Sequence, residues 1–201
     1  MKELSVINAL IDSISALPSI GKKTAERIAY ALLDFEPSKI KEIGENIASL
    51  PLKIKRCAIC GGYSLGDSCE ICQNPERNHQ FMMVVHEPKD IFLFEKTNAM
   101  KGIYFVLDEL LKGSKPTGKL ETRINLLKNR IQKEKTSEIL LATPMSLEGQ
   151  TTALYLQSFL KTPNLKITRL AYGLPFGSML EYVDTITLKQ AVIARIKMGE
   201  E

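Results

Sequence analysis

All four cysteines of the chain fall in one short stretch: Cys57, Cys60, Cys69 and Cys72, spaced C-x2-C-x8-C-x2-C. A Cys-x-x-Cys loop places two thiolates on one side of a tight turn. Two such loops facing each other offer four sulfurs at the corners of a tetrahedron, the coordination that Zn2+ takes in closed structural sites. Some twenty residues with few apolar groups cannot bury a core. A metal has to supply their folding free energy, on the order of 10–16 kcal/mol for structural zinc in small finger peptides. An iron–sulfur cluster accepts the same four thiolates and is the alternative. Disulfides fit poorly, because the spaced apolar pattern of MKELSVINALIDSISAL reads as a helix rather than a secretory leader, which sets the expectation of a cytosolic chain. Four thiolates fill the coordination of zinc and leave no position for water, so the ion is structural rather than catalytic. His79 and His86 are surplus to it.

Basic side chains are the second candidate chemistry. In LPSIGKKTAERI a turn at 19–21 precedes Lys22, Lys23 and Thr24 at the start of a helix, with Arg27 one turn beyond Lys23 on the same face. The first N–H groups of a helix point outward and carry the positive end of its dipole, a ready phosphate site. A plain corner between two helices is the competing reading, and the residues alone leave both open. Residues 112–135 hold eight Lys/Arg against Glu121 and Glu134, a net of +6. That block reads first as a solvated helix face and second as a surface facing phosphates. Lys53, Lys55 and Arg56 form a smaller cluster. The whole chain has 27 Lys/Arg and 23 Asp/Glu, a net of +4, which permits an anionic partner without demanding one.

The elements that hold these groups change character along the chain. Leu4, Ile7, Ile11 and Ile14 recur at helical spacing, with Pro18 beyond. A second helix is expected from about Lys22 to Leu33. A third is expected from Pro37, with Pro51 stopping it. After the cysteine segment, Phe81–Val85 and Ile91–Phe94 read as short strands around a turn at 86–90. Leu120–Lys135 reads as helix, Glu138–Thr143 as strand, Leu147–Leu160 as helix and Leu165–Leu170 as strand. Strand alternating with helix implies a mostly parallel sheet with helices on its faces. The expected class is therefore α+β to α/β and multidomain, with segments at 1–53 (helical, with the hairpin), 54–77 (four-cysteine zinc finger), 78–172 (α/β domain) and 173–201 (C-terminal segment and helix). With 201 residues, 44% of them apolar and 25% charged, the chain is long enough for a buried core. It contains no apolar run long enough to span a membrane.

From Cys57 to Arg77 the pattern C-x2-C-x3-S-x4-C-x-I-C-x4-R, with Ser64 and Ile71 in place, resembles the signature of the bacterial RecR recombination mediator family. The order of the other segments agrees. A hairpin similar to the helix-hairpin-helix module precedes the cysteines, with Ser19 where that motif usually has glycine. FMMVVHEPKDI resembles the opening of a Toprim domain, and ILLATPMSLEGQTTALYL a later strand–loop–helix of it. RLAYGLPFGSMLEYVDTITL resembles the family's C-terminal stretch, with Gly173, Pro175, Gly177, Glu181, Tyr182, Asp184 and Thr187 in place. The resemblance spans residues 4–198. The chain departs from it between 104 and 120, where Asp108, Glu109 and several lysines replace a glycine-rich, low-charge stretch.

The resemblance implies a DNA-repair protein that is not an enzyme. It implies an oligomeric ring, often a tetramer, that binds single- and double-stranded DNA without sequence preference. With RecO and RecF, such rings load the RecA recombinase onto gaps coated by single-strand-binding protein. It places one structural Zn2+ on Cys57, Cys60, Cys69 and Cys72, phosphate contacts on Lys22, Lys23 and Arg27, and a partner-binding face around Glu148 and Glu87, in a cytoplasmic protein associated with the bacterial nucleoid. Two other readings stand beside it. One is a Toprim-type Mg2+-dependent nuclease or primase-like enzyme using Glu87 and Glu148. It is weakened because His86 follows the first strand and no Asp-x-Asp pair follows the later one, a poor oxygen cage for Mg2+. The other is a zinc-ribbon adaptor between proteins.

Overall fold

A computed structural model describes residues 4–171 and 173–195, so the end of the C-terminal segment expected at 173–201 lies outside the described residues. The chain forms two compact units, Met1–Ile54 and Lys55–Glu201.

The first unit is helical: α1 (Ser5–Ser15), α2 (Lys22–Leu32) and α3 (Pro37–Lys53). Ile11, Ala25 and Ala29 are buried, with Ile7, Ile14 and Ile20 packed around them. Two alanines on α2 let α1 approach closely, so a small apolar set suffices. Helix α3 starts with Pro37 in its first turn, where a missing N–H costs nothing. It does not stop before Pro51, as the sequence led us to expect, but runs to Lys53. A proline in the last turn deletes one backbone hydrogen bond and leaves the rest intact, and Ile54 N–H still closes on the Leu50 carbonyl at 3.0 Å.

The second unit joins the cysteine module to an α/β domain. Two short antiparallel strands, β1 (Lys55–Arg56) and β2 (Tyr63–Ser64), and one helical turn, α4 (Glu70–Gln73), frame the cysteines. Then follow β3 (Asn78–Val85), α5 (Pro88–Lys96), β4 (Gly102–Val106), α6 (Gly118–Glu134), β5 (Glu138–Ala142), α7 (Leu147–Leu160) and β6 (Lys166–Arg169). The four longer strands are all parallel, in the order β4-β3-β5-β6. Both faces of the sheet are covered. Met82, Val84, Ile103, Phe105, Ile139 and Leu141 pack with α6 and α7, while Met83, Val85, Tyr104 and Val106 pack with Ile91 of α5. Beyond β6, a single 3-10 turn at Leu180–Tyr182 leads to α8 (Thr185–Ile193), whose N-terminus is capped by Asp184 accepting from the N–H groups of Ile186 and Thr187.

Two departures from the sequence reading lie here. Ile91–Phe94 is helix, not strand. Pro88 in the first turn and a 2.8 Å bond from Glu87 N–H to the Asp90 carboxylate start a helix there. A four-residue apolar run by itself fits either element. The strand Gly102–Val106, not assigned from sequence, is buried at all five positions. Among the described residues no helix is long and apolar enough to cross a membrane.

Candidate metal centre and nucleic-acid interface

In the first unit a tight turn joins α1 to α2. Ile20 tucks under it, and its N–H closes on the Leu17 carbonyl at 3.2 Å. Ser19 holds φ at +65°, the left-handed conformation that favours glycine. The loop thus keeps a glycine-type shape with serine in place. Gly21 caps α2 through its carbonyl alone, no side chain caps the first N–H groups, and the first turn contains no acid. Lys22, Lys23 and Arg27 are all exposed around that end.

In the second unit the sulfurs of Cys57, Cys60, Cys69 and Cys72 lie within 4.8 Å of one another, three of the residues buried and the fourth nearly so. Among the described residues this is the one cluster of three or more His, Cys, Asp or Glu donors able to share an ion. The donor set itself calls for a cation. A hydrogen bond shared with Cys60 holds the Cys69 thiol well below its ordinary range, and the same interaction pushes Cys60 up to about 12. One thiolate is stabilised by neighbouring thiols, whereas four thiolates at this distance need a positive centre. His79 takes no part, because its Nδ1 lies 2.7 Å from the Glu134 carboxylate.

Arginines fasten this module to the sheet. Arg130, buried in α6, donates to the Tyr104 carbonyl at 2.6 Å and to Cys72 Sγ at 3.5 Å. Arg123 donates to the carbonyls of Val106 and Cys60 and lies 4.3 Å above the Phe105 ring. A side chain on Gly61, whose φ is +81°, would come within 2.5 Å of the Arg123 guanidinium. Val106 N–H donates to the Cys60 carbonyl at 2.8 Å, so the first cysteine loop also caps the open edge of β4. The +6 block is therefore divided. Arg123 and Arg130 face inward, and Lys112, Lys115, Lys119, Lys128, Lys133 and Lys135 face water. Sequence reasoning passed over the two arginines, yet their position was readable. Each lies three residues after a buried leucine (Leu120, Leu127), at the edge of the apolar stripe.

Arg77, the last residue of the cysteine signature, pairs with Glu95 and donates to the Met100 carbonyl at 3.1 Å. Tyr104 Oη donates to Glu95 at 2.6 Å. Burial pushes the Glu95 carboxyl up, but the bonds from Arg77 and Tyr104 outweigh it and hold it below the usual carboxylate range. A depressed carboxylate contributes stability above its unfolded value, about pH 4.3, and loses it as pH falls through the lower folded value. The melting temperature is expected to drop on acidification below about pH 4.5. The drop should be shallower in Glu95→Gln, which melts lower at neutral pH; parallel pH profiles for the two proteins would assign the acid limb to other groups.

At the carboxyl ends of β3 and β5, where the strand order reverses, lies an open cleft of about 740 Å3 lined by His86, Asp108, Glu109, Leu111, Lys112 and Glu148. Asp108 has φ at +69° and pairs with Arg56, with Lys119 and Arg123 each 3.9 Å away. The two acids considered together from sequence have different settings. Glu148 lines the cleft, whereas Glu87 precedes α5 with its carboxylate 2.5 Å from Lys89 Nζ and is absent from the lining.

Three family models match segments of the chain. Residues 7–50 match the family model described as RecR, helix-hairpin-helix. Residues 80–171 match a Toprim domain, and 173–196 match RecR, C-terminal. Recombination protein RecR of Moorella thermoacetica is 41% identical over 189 residues, 94% of this chain and 95% of the relative. The chain belongs to the RecR family. Members named Recombination protein RecR from Carboxydothermus hydrogenoformans (40% identical over 92% of this chain and 94% of theirs) and Streptomyces avermitilis (38% over 94% and 96%) match across nearly the same length. The RecR resemblance read from the cysteine signature is thus borne out. So is the fold class: a helical hairpin segment, a four-cysteine cluster and a Toprim domain with a parallel sheet.

Proposed function

We propose that this RecR-family protein is a recombination mediator in DNA repair. It binds DNA by its phosphates through Lys22, Lys23 and Arg27, and the observation that carries this is the α2 N-terminus, free of any side-chain cap or acid and ringed by exposed cations. Phosphate contacts of this kind carry no sequence information, so binding is indifferent to sequence and extends to single and double strands. Cys57, Cys60, Cys69 and Cys72 hold one Zn2+ as a structural ion. The protein works as an oligomer, a tetrameric ring, because one hairpin with three cations binds weakly and several copies on one DNA reinforce one another. With RecO and RecF it loads RecA onto gaps coated by single-strand-binding protein, with the face around Glu148 and Glu87 meeting a protein partner, and it acts without catalysing a reaction, in the cytoplasm on nucleoid DNA. The segments divide the work as 1–53 for DNA, 54–77 for the ion and 78–172 for partners.

Lys22→Ala with Lys23→Ala is expected to weaken binding of any DNA several-fold at about 50 mM salt. It should also flatten the slope of log K against log salt by roughly 0.9 for each phosphate that is no longer neutralised. Fluorescence anisotropy at several salt concentrations measures both, and an unchanged slope would place the DNA surface elsewhere. Plasmid nicking that requires Mg2+ and vanishes in Glu87→Gln would replace this reading with phosphoryl transfer.

A further inference from the structure

We propose that Tyr63 and Phe92 form a stacking platform for the bases of single-stranded DNA, on the outer face where the cysteine module meets α5. The inference rests on the reading that the protein binds DNA and adds a second point of attachment to it, one that meets bases where the hairpin meets only phosphates. Gly62 lets the module lie against α5: a side chain there would come within 2.8 Å of Ile91 Cδ1. The next residue, Tyr63, is thereby set beside Phe92, with ring centroids 6.3 Å apart and planes inclined by 20°. The pair does not close off a core, because Tyr63 is 44% and Phe92 52% exposed. Two nearly parallel rings open to water, with exposed Leu93 beside Phe92 on the helix, present a flat apolar surface on which a further ring can stack.

The surroundings say what that is. Lys89, Phe92, Leu93 and Lys96 occupy positions i, i+3, i+4 and i+7 of α5, all exposed, so one helix face reads cation, ring, apolar, cation. Arg56 lies 5.9 Å from the Tyr63 ring centre, and exposed Lys55 precedes it on β1. Arg56 also pairs with Asp108 and Lys89 with Glu87, while the acids of α5 itself are engaged, Asp90 in the first turn and Glu95 with Arg77. Exposed rings flanked by cations suit a strand whose bases are free to stack and whose backbone is anionic; a duplex hides its base faces.

The chain contains no tryptophan, so Tyr63→Trp or Phe92→Trp creates a sole reporter at the platform. Each variant is titrated at low salt with an oligo-dT, an abasic oligomer of equal length and a duplex, while anisotropy of the labelled DNA follows binding in parallel. The expected result is tryptophan quenching by oligo-dT and none by the abasic oligomer. In Tyr63→Leu with Phe92→Leu, affinity for oligo-dT should fall about tenfold or more, the scale of one stacked base, while duplex affinity should stay within about twofold. Oligo-dT binding without quenching, or unchanged oligo-dT affinity in the double leucine variant, overturns the platform alone. Absence of all DNA binding by the parent protein overturns the platform together with the reading beneath it.

Discussion

Stripping the metal from Cys57, Cys60, Cys69 and Cys72 is expected to remove on the order of 10 kcal/mol of folding free energy, comparable to the whole stability of an ordinary domain. The module has little else to hold it: its strands are two residues each, its helix four, and its buried side chains are chiefly the cysteines themselves. The loss should spread beyond it. The Cys60 carbonyl accepts from Val106 N–H and from Arg123, and Cys72 Sγ accepts from Arg130, so a collapsing module leaves the β4 edge unpaired at Val106 and takes one acceptor from each of the two arginines. Metal analysis should find one zinc per chain. Chelator should lower the melting temperature sharply, and hydrogen exchange should show new opening at Val106 as well as in residues 57–72. Iron in place of zinc would favour the cluster alternative. Metal-free protein with an unchanged melt would remove the ion from the account of the fold.

Gly149→Ala is expected to destabilise the second unit by about 3–5 kcal/mol or to prevent its folding. Gly149 opens the first turn of α7, where Ser146 caps its N–H at 3.2 Å and its carbonyl accepts from Thr143 at 2.9 Å. A side-chain carbon there would stand 2.0 Å from the Pro144 carbonyl oxygen. The atom it meets is backbone and the added carbon is fixed to α7, so relief means shifting the 143–146 loop or moving α7 off a sheet on which Leu156 and Leu160 are core residues. Gly44→Ala is the control. Gly44 lies inside α3 with open space around it, and alanine there should stabilise the helix by roughly 0.5–1 kcal/mol. Denaturant midpoints of the two variants should move in opposite directions. A mild effect of Gly149→Ala would mean that the 143–149 loop yields freely.

The cysteine spacing, the alternation of strand and helix after residue 78 and the cations behind the 19–21 turn were legible because each depends on local spacing. Thiolate geometry, hydrophobic period and helix-end charge are properties of a few neighbouring residues. The apolar run Ile91–Phe94 was not resolved in the same way. Its type depended on whether Glu87, Pro88 and Asp90 made a turn or a helix start, and Phe92 became a surface ring only once α5 formed.

The fate of the basic block needed the tertiary structure most. Lysine and arginine look alike along residues 112–135, and a long cation at the edge of an apolar stripe can point either way. What settles it is an acceptor from elsewhere in the chain: the carbonyls of Tyr104 and Val106 lie within reach of Arg130 and Arg123 only after α6 packs against β4, and that of Cys60 only after the module docks there. Sequence by itself determined the four-thiolate centre, the class of sheet and the cationic helix end. Folding decided which cations became braces for that centre, which stayed in water, and that Tyr63 and Phe92, separated by the whole of β3, share one surface, because such pairings depend on distances that only the packed chain sets.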